Sequence, residues 1–411
     1  MKVVFIIPRY VSFWEPLSVA YISSYIKHNY SGKLDVKFFH DNFDNFVEIV
    51  KAASEANIVG ISCTTTTYKR AVEIAETIKL VSNPRIVLGG WHPTTMHAAK
   101  AIHGIDHVFD QVVVGEGEGA FLSVLNGKKD HIVFGEKLNF YDLYWPDREI
   151  IKESRHLDYC EHNWNERIAS FSSRRGCSHS CTMCGEYAMS HNLVRIRNNT
   201  DLLDEIDVVN KQYNITKLKF LDPTFAYPKE ATIDFCKEKI KRKNQLPWEC
   251  MGHGAYLDEE VLKLMKIANC YQVNIGCESG DPNILKEIKK GITIKKIKEV
   301  FKIGHDVGLD MRAFFMVGFV NETQESFEMT KQLVRDIKPN VVGCTILTPF
   351  PGSLYYDNNK YKDLDWSGCN EYSNDFWETE NFTNTELKMM QKEFNREFKD
   401  ILVEHQRNQN E

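Results

Sequence analysis

The sequence predicts an α/β protein in two parts: a doubly wound, Rossmann-like parallel sheet, then a partial (β/α)6 barrel with a short helical C-terminal tail. Three observations predict it. Short apolar runs alternate with stretches of helical spacing, the pattern of parallel strands wrapped by helices. At 411 residues the chain exceeds one ordinary core, so two domains are expected. The runs also fall into two series, one over 1–125 and one from residue 168. The stretch 126–167 between them, with aromatic and charged clusters, reads as a linker.

In the first series the predicted strands cover 3–7, 34–39, 58–62, 85–88 and 107–114, with helical spacing at 16–28, 43–56, 69–81 and 95–103. The strands lead into loops of small, polar or glycine residues: Asp41 and Asn42; Thr64, Thr65 and Thr66; Gly89, Gly90, Trp91 and His92; Gly115, Glu116 and Gly117. In open α/β sheets, ligands bind beyond the carboxyl ends of the strands. Glycine there lets backbone amides come close to a large or anionic ligand. The second series predicts strands at 168–173, 218–222, 248–251, 273–278, 311–317 and 341–348, with helices at 200–213, 229–244, 258–268, 294–307 and 323–337. Six such units suggest an incomplete barrel over 168–357. Residues 358–411 are polar, with one amphipathic helix near 385–404, and read as a C-terminal helical extension.

Hydrophobic content of 43% and charged content of 26% are those of a soluble globular chain. A net charge of −6 without a strongly basic block argues against a nucleic-acid partner. The basic run 237–243 ends a predicted amphipathic helix and reads as a solvated face. The N-terminal apolar run stops at Pro8 and Arg9, too short for a signal-peptide core. No run approaches the roughly 18 apolar residues of a membrane span. Eight of the eleven cysteines are scattered, several in apolar runs such as those around Cys277 and Cys344, where a thiol acts as a small hydrophobe. With no disulfide-like spacing, a cytoplasmic protein is expected.

The remaining three cysteines, Cys177, Cys181 and Cys184, follow the first strand of the second series, with Gly176 just before them. Thiolates are soft ligands that favour zinc or iron–sulfur clusters. Their number matters: closed zinc sites and ordinary clusters want four protein ligands. Three thiolates can hold three irons of a [4Fe–4S] cube and leave the fourth open to a small molecule. A zinc knuckle completed by His179 or His191 is the plainer alternative. In a parallel barrel, reactive groups gather at the carboxyl ends of the strands. Asp222, Gly252, His253, Glu278, Ser279 and Thr348 occupy such predicted ends. Glu278, ending an apolar strand, is hard to explain as packing. Arg312 lies near the start of its strand, where a capping ion pair is an almost equal reading.

The cysteine spacing, the run Glu278, Ser279, Gly280 and Asp281, and the later Leu285, Lys290 and Gly291 together resemble the radical S-adenosylmethionine (SAM) superfamily over about 168–357. Residues 15–21, 62–68, 88–94 and 114–121 resemble the B12-binding-type domain found in one large class of those enzymes. The resemblance implies a [4Fe–4S] cluster on Cys177, Cys181 and Cys184, with SAM chelating the open iron through its amino and carboxylate groups. It implies SAM contacts from Asp222, Gly252, His253, Glu278, Ser279 and Arg312. Glu278 or Ser279 would bond the ribose or amino group, the 222–225 turn would sit near the methionine end, and Arg312 would pair with the carboxylate. His253 stands where an arginine would be expected. Cobalamin would lie across the first sheet's strand ends, towards the second domain, against Thr64, Thr65, Thr66, Gly89, Gly90, Trp91, His92, Gly115, Glu116 and Gly117. No Asp-x-His-x-x-Gly motif supplies a lower axial histidine, and a retained fold with an empty pocket is the alternative. Tyr187, Tyr227, Tyr256 and Phe350 are candidates to line the cavity.

Two departures stand out. Where Gly-x-Pro-Gly-Glu-Thr is expected, the chain reads Gly318, Phe319, Val320, Asn321, Glu322, Thr323; and Gly185, Glu186 and Tyr187 follow the third cysteine. The activity implied is reductive cleavage of SAM to a 5′-deoxyadenosyl radical, serving cobalamin-dependent methylation of an unactivated carbon. A non-methylating rearrangement, cyclisation or oxidation is the rival. A zinc- or cobalamin-binding protein without catalysis is the reading from another class. The short C-terminal region favours a small-molecule or short-peptide substrate, and the chemistry implies a ferredoxin- or flavodoxin-type electron donor.

Overall fold

A computed structural model describes residues 1–11, 15–370, 372–403 and 406. The chain forms two compact units. The first combines Met1–Tyr159 with Phe350–Asn370; the second combines Cys160–Pro349 with the described residues after Asn370. The segment 358–411 is therefore divided between the two.

In the first unit, β1 (Lys2–Ile7), β2 (Asp35–His40), β3 (Ile58–Ser62), β4 (Arg85–Gly89), β5 (Gln111–Val114) and β6 (Ile132–Phe134) form one parallel sheet ordered β2-β1-β3-β4-β5-β6. Strands covered on both faces must be apolar throughout. Val3, Val4, Val59, Ile61, Ile86, Leu88 and Val112 are accordingly buried. The chain winds one way from β1 to β2 and the other way from β3 on, which puts a topological switch point between β1 and β3.

Several elements differ from the sequence reading. β6 lies inside the stretch read as a linker; at three residues it is too short to show a period. Helix Glu153–Trp164 lies there too, disguised by its polar composition. The glycine-rich run after β5 already begins a helix, Gly117–Leu125, carried by buried Ala120, Phe121, Val124 and Leu125. The helix expected at 95–103 is Trp91–Ala98, with Pro93 tolerated in its first turn.

In the second unit, β7 (Ile168–Phe171) is followed by a two-residue antiparallel ribbon, β8 (Arg174–Arg175) with β9 (Arg195–Ile196). Then come β10 (Lys217–Phe220), β11 (Trp248–Gly252), β12 (Cys270–Glu278), β13 (Asp310–Val317) and β14 (Val341–Ile346). The large sheet runs β7-β10-β11-β12-β13-β14, all parallel, each strand beside its predecessor in sequence. Among the described residues no pairing joins β14 to β7, so the barrel is open. Between sheet and helices the rings of Phe220, Phe225, Phe235 and Trp248 pack with centroids 4.7–5.7 Å apart, every pair tilted or edge-on. The outer edge at β14 is covered from the C-terminal segment. Val403 N donates to Val342 O (2.9 Å), and the Gln406 amide bonds both Cys344 N and Cys344 O.

The basic run 237–243 is only partly a solvated face. Lys237, Lys241 and Lys243 are exposed, but Lys239 is fully buried. Its ammonium donates to Asn244 O, Asn244 Oδ1 and Leu246 O at 2.7–3.0 Å, closing the end of helix Lys229–Lys241. Among the described residues no helix is long and apolar enough to cross a membrane.

Trp248→Ala removes the largest ring of the aromatic cluster and the Trp248 Nε1–Ala268 O bond. It should destabilise the second unit by about 3–5 kcal/mol, read as a lower urea midpoint; an unchanged midpoint would contradict the packing described.

Candidate functional site

The cysteine loop is fixed at its base by Asp222, just past β10. The Asp222 carboxylate accepts from Ser173 N (2.8 Å), Arg174 N (2.9 Å) and Ser173 Oγ, tying the exit of β7 to the exit of β10. The buried Arg174 guanidinium lies 4.0 Å away and over the Phe225 ring. Asp222 is thus engaged inside the protein and acts by placing the loop. At Gly176 the chain takes φ +95°, and a Cβ there would run into the Leu193 carbonyl across the β8–β9 ribbon. Glycine before the first cysteine is therefore a requirement of loop closure. No cysteine among the described residues forms a disulfide. Cys177 Sγ lies 3.5 Å from Thr224 Oγ1 of the 222–225 turn, and Glu186 N donates to Cys184 Sγ at 3.4 Å.

The other side of the loop rests on the turn after helix Pro282–Glu287. Thr182 N donates to Ile288 O (3.0 Å), Cys181 Sγ lies 3.9 Å from Lys289 O, and His253 Nε2 donates to Lys290 O (2.7 Å). Because His253 Nδ1 accepts from Ala255 N, the Nε2–H tautomer follows. His179, between the first two cysteines, stacks on His253 with centroids 4.0 Å apart and planes 20° apart. Burial, with the Lys290 ammonium next in weight, pushes His253 down to about 3 and lowers His179 as well. The two rings stack as neutral imidazoles.

Lys290 points its ammonium at Glu278 Oε1, 2.6 Å away, both side chains nearly buried. A register shift in β12 between Gly276 and Glu278, with φ +62° at Glu278, swings this carboxylate out of strand alternation. The pair lies over the backbone of Gly276, where a Cβ would meet Lys290 Nζ at 2.7 Å. Despite burial, Lys290 is held above the ordinary lysine range by the Glu278 carboxylate and the Cys181 thiol.

The structure therefore gathers Cys177, Cys181, Cys184, Asp222, His253 and Glu278 around one loop and one turn. Ser279 lies on the other side of helix Pro282–Glu287, between β12 and that helix, and is fully buried, its Oγ against Thr330 Oγ1 (3.3 Å) and accepting from Asp281 N (3.1 Å). Gly252 ends β11 where a Cβ would crowd Val273 and Leu257. Arg312 lies in register with Asn274 near the start of β13, its guanidinium over the Phe314 ring (4.6 Å). The cation beside the cysteine loop is instead Lys290, which the sequence reading quoted only as part of a pattern. Tyr256 reaches the loop through Ser178 Oγ (3.2 Å) and packs at a tilt against Tyr227, whereas Tyr187 is exposed. Phe350 packs on Trp366 in the first unit. His191 caps the short helix Glu186–Ser190.

In the first unit the residues expected at a large ligand separate into two groups. His92 is buried, stacked on Tyr68 (4.1 Å) with Nδ1 3.2 Å from Thr65 Oγ1, and burial takes it down to about 3. Gly90, Gly115 and Gly117 are needed by the protein's own packing. A Cβ would meet Cys63 O at 2.6 Å, Gly135 O at 3.1 Å and Ile22 Cδ1 at 2.5 Å respectively. Thr64, Thr66, Gly89, Gly90, Trp91, Gly115, Glu116 and Gly117 remain accessible at the strand ends, and at Gly89 the nearest atom to an added Cβ is 3.8 Å away.

Comparison with known proteins agrees with these two units. Residues 171–334 match the Radical SAM superfamily and residues 4–125 the B12 binding domain. The chain is a radical SAM enzyme whose N-terminal domain is of the B12-binding type. An uncharacterised methyltransferase of Pyrococcus horikoshii is 26% identical over 85% of this chain and 80% of its own length. The anaerobic magnesium-protoporphyrin IX monomethyl ester cyclase of Rubrivivax gelatinosus is 28% identical over 86% of this chain and 69% of its own. Among solved structures, the radical SAM methyltransferase TsrM of Kitasatospora setae, with cobalamin and a [4Fe–4S] cluster bound, superposes with a TM-score of 0.70. It has 16% identity and covers 86% of this chain and 73% of that one. The cobalamin-dependent SAM radical enzyme OxsB superposes at 0.65, with 18% identity, over 97% of this chain and 61% of that one. At these identities the structural likeness establishes the fold.

Folded His253 protonates only near pH 3, whereas the unfolded chain takes up that proton as pH falls through about 6.5. Its contribution is complete above that upper value and is lost progressively towards pH 3. His253→Gln should therefore lose part of the wild-type fall in urea midpoint between pH 7.5 and 5.5; an identical slope would contradict the buried neutral imidazole.

Proposed function

We propose that the enzyme holds a [4Fe–4S] cluster on Cys177, Cys181 and Cys184, binds SAM at its open iron, and uses cobalamin on the first unit to methylate an unactivated carbon. The observation that carries this reading is the donor set: three free thiols on one loop, with a glycine-locked base and a backbone N–H directed at Cys184 Sγ. These residues fit a soft cluster with one unliganded corner. Bound there, the cluster would supply the electron that cleaves SAM to a 5′-deoxyadenosyl radical, and cobalamin the methyl group.

The chain's own residues would then act as follows. Asp222 and the Ile288 and Lys289 carbonyls hold the loop, which narrows the conformations the thiols would search on meeting the irons. Glu278 and Lys290 offer a carboxylate and an ammonium beside Cys181, suited to the hydroxyl or amino groups and the carboxylate of SAM. Lys290 takes the place first read for Arg312. On the first unit, Thr64, Thr66, Gly89, Trp91 and Glu116 present hydroxyls, an open glycine face, an indole and a carboxylate at the strand ends. With the equally accessible Gly90, Gly115 and Gly117 they suit the amide-fringed edge of a corrin, whereas Thr65 and His92 are buried. Likeness to the cyclase of Rubrivivax gelatinosus favours one second reading, a ring closure without methyl transfer. In either case a ferredoxin- or flavodoxin-type protein would deliver the electron to a small-molecule or short-peptide reaction.

Anaerobic reconstitution with iron, sulfide and hydroxocobalamin should give about four irons per chain and retained corrin after gel filtration. Cys177→Ala, Cys181→Ala and Cys184→Ala should each lose most of the iron, and Gly176→Ala likewise with unchanged far-UV circular dichroism. With substrate, methylation yields S-adenosylhomocysteine plus 5′-deoxyadenosine, and cyclisation 5′-deoxyadenosine alone. Full iron in the cysteine variants would end the proposal.

A further inference from the structure

Lys290 is a buried charge whose side chain and backbone are both held by the candidate site, and binding a ligand does not account for all of that arrangement. Its own carbonyl is bonded by His253, the preceding carbonyl faces Cys181 Sγ, and the one before that accepts from Thr182 within the cysteine loop. The ammonium is tied to Glu278 over Gly276, with no room for it to swing through that backbone. It cannot retreat to solvent, since the residue is 9% exposed. A buried lysine ordinarily loses its proton, because desolvation costs several kcal/mol per ion. Here the ammonium is held 2.6 Å from Glu278 Oε1, and the carboxylate keeps it charged.

We infer that Lys290 sets the reduction potential of the metal centre on the cysteine loop, through a fixed positive charge that stabilises the electron added there. The inference rests on the cluster proposed above. One electron from a ferredoxin- or flavodoxin-type donor takes a [4Fe–4S] cluster from the 2+ to the 1+ charge state, and the donor alone is oxidised. The added negative charge is favoured by a nearby cation and disfavoured by a nearby anion, most of all where little water intervenes. Glu278 opposes Lys290 and trims its effect, so the two residues should shift the potential in opposite directions. If Lys290 merely closed a turn, removing its charge would alter stability and leave the potential alone.

The test is an anaerobic redox titration of reconstituted full-length protein without SAM, following the electron paramagnetic resonance signal of the reduced cluster. Wild type, Lys290→Met, Lys290→Arg and Glu278→Gln are compared at equal iron and sulfide content. At fixed poise, Lys290→Met should lower the ratio of reduced to oxidised cluster about tenfold, equivalent to about 59 mV for one electron. Lys290→Arg should stay close to wild type, and Glu278→Gln should raise the ratio. Equal midpoints in wild type, Lys290→Met and Glu278→Gln would overturn the inference while leaving the cluster proposal standing. If Lys290→Met does not hold iron, Glu278→Gln decides alone, and an unshifted midpoint there overturns the inference. Wild-type protein that takes up no iron would instead defeat the proposed function itself.

Discussion

Three consecutive carbonyls, those of Ile288, Lys289 and Lys290, are the constraint on which the candidate site depends. They meet Thr182 N, Cys181 Sγ and His253 Nε2, so one short turn fixes the loop that carries the thiols and the ring on which that loop's His179 stacks. The turn is held in its own right by helix Pro282–Glu287, which Asp281 caps at Asn283 N (2.7 Å). From the opposite side Asp222 ties the start of the loop to the neighbouring strand. A loop braced at both ends carries its three thiols without a disulfide among the described residues, and much of its conformational entropy is surrendered at folding.

Electrostatics divides the site into neutral and charged parts. The imidazoles of His179 and His253 are driven neutral by burial and by Lys290, which permits the parallel stack; two imidazolium rings would repel. Glu278 and Lys290 remain a close pair in a region that otherwise disfavours charge. Such a pair is poor evidence for stability, since desolvation offsets most of its attraction. Its placement beside a ligand loop argues instead for work done on what that loop binds.

Much of the fold was legible because parallel strands covered on both faces are apolar throughout, and their runs in the sequence locate β1, β3, β4, β10, β11, β13 and β14 within about two residues. The misses have physical causes. β6 is shorter than any period, helix Gly117–Leu125 starts in glycines that resemble a loop, and helix Glu153–Trp164 is polar. At the candidate site, the loop itself was legible because its three thiols and Gly176 lie within a few residues of one another in sequence. The burial of Ser279 was not legible, because its hydroxyl lies against Thr330, some fifty residues away in sequence, a neighbour that no local pattern reveals. Lys290 and Lys239 were under-read for the same reason: a lysine's burial depends on what closes over it.

The central claim is a metal centre with one corner left to SAM. Mössbauer spectroscopy of 57Fe-reconstituted protein tests it most directly. Addition of SAM should change the isomer shift of one iron in four as that site gains nitrogen and oxygen ligands, leaving the other three as they were. Four equivalent irons that ignore SAM, or a spectrum lacking cluster iron, would contradict the account.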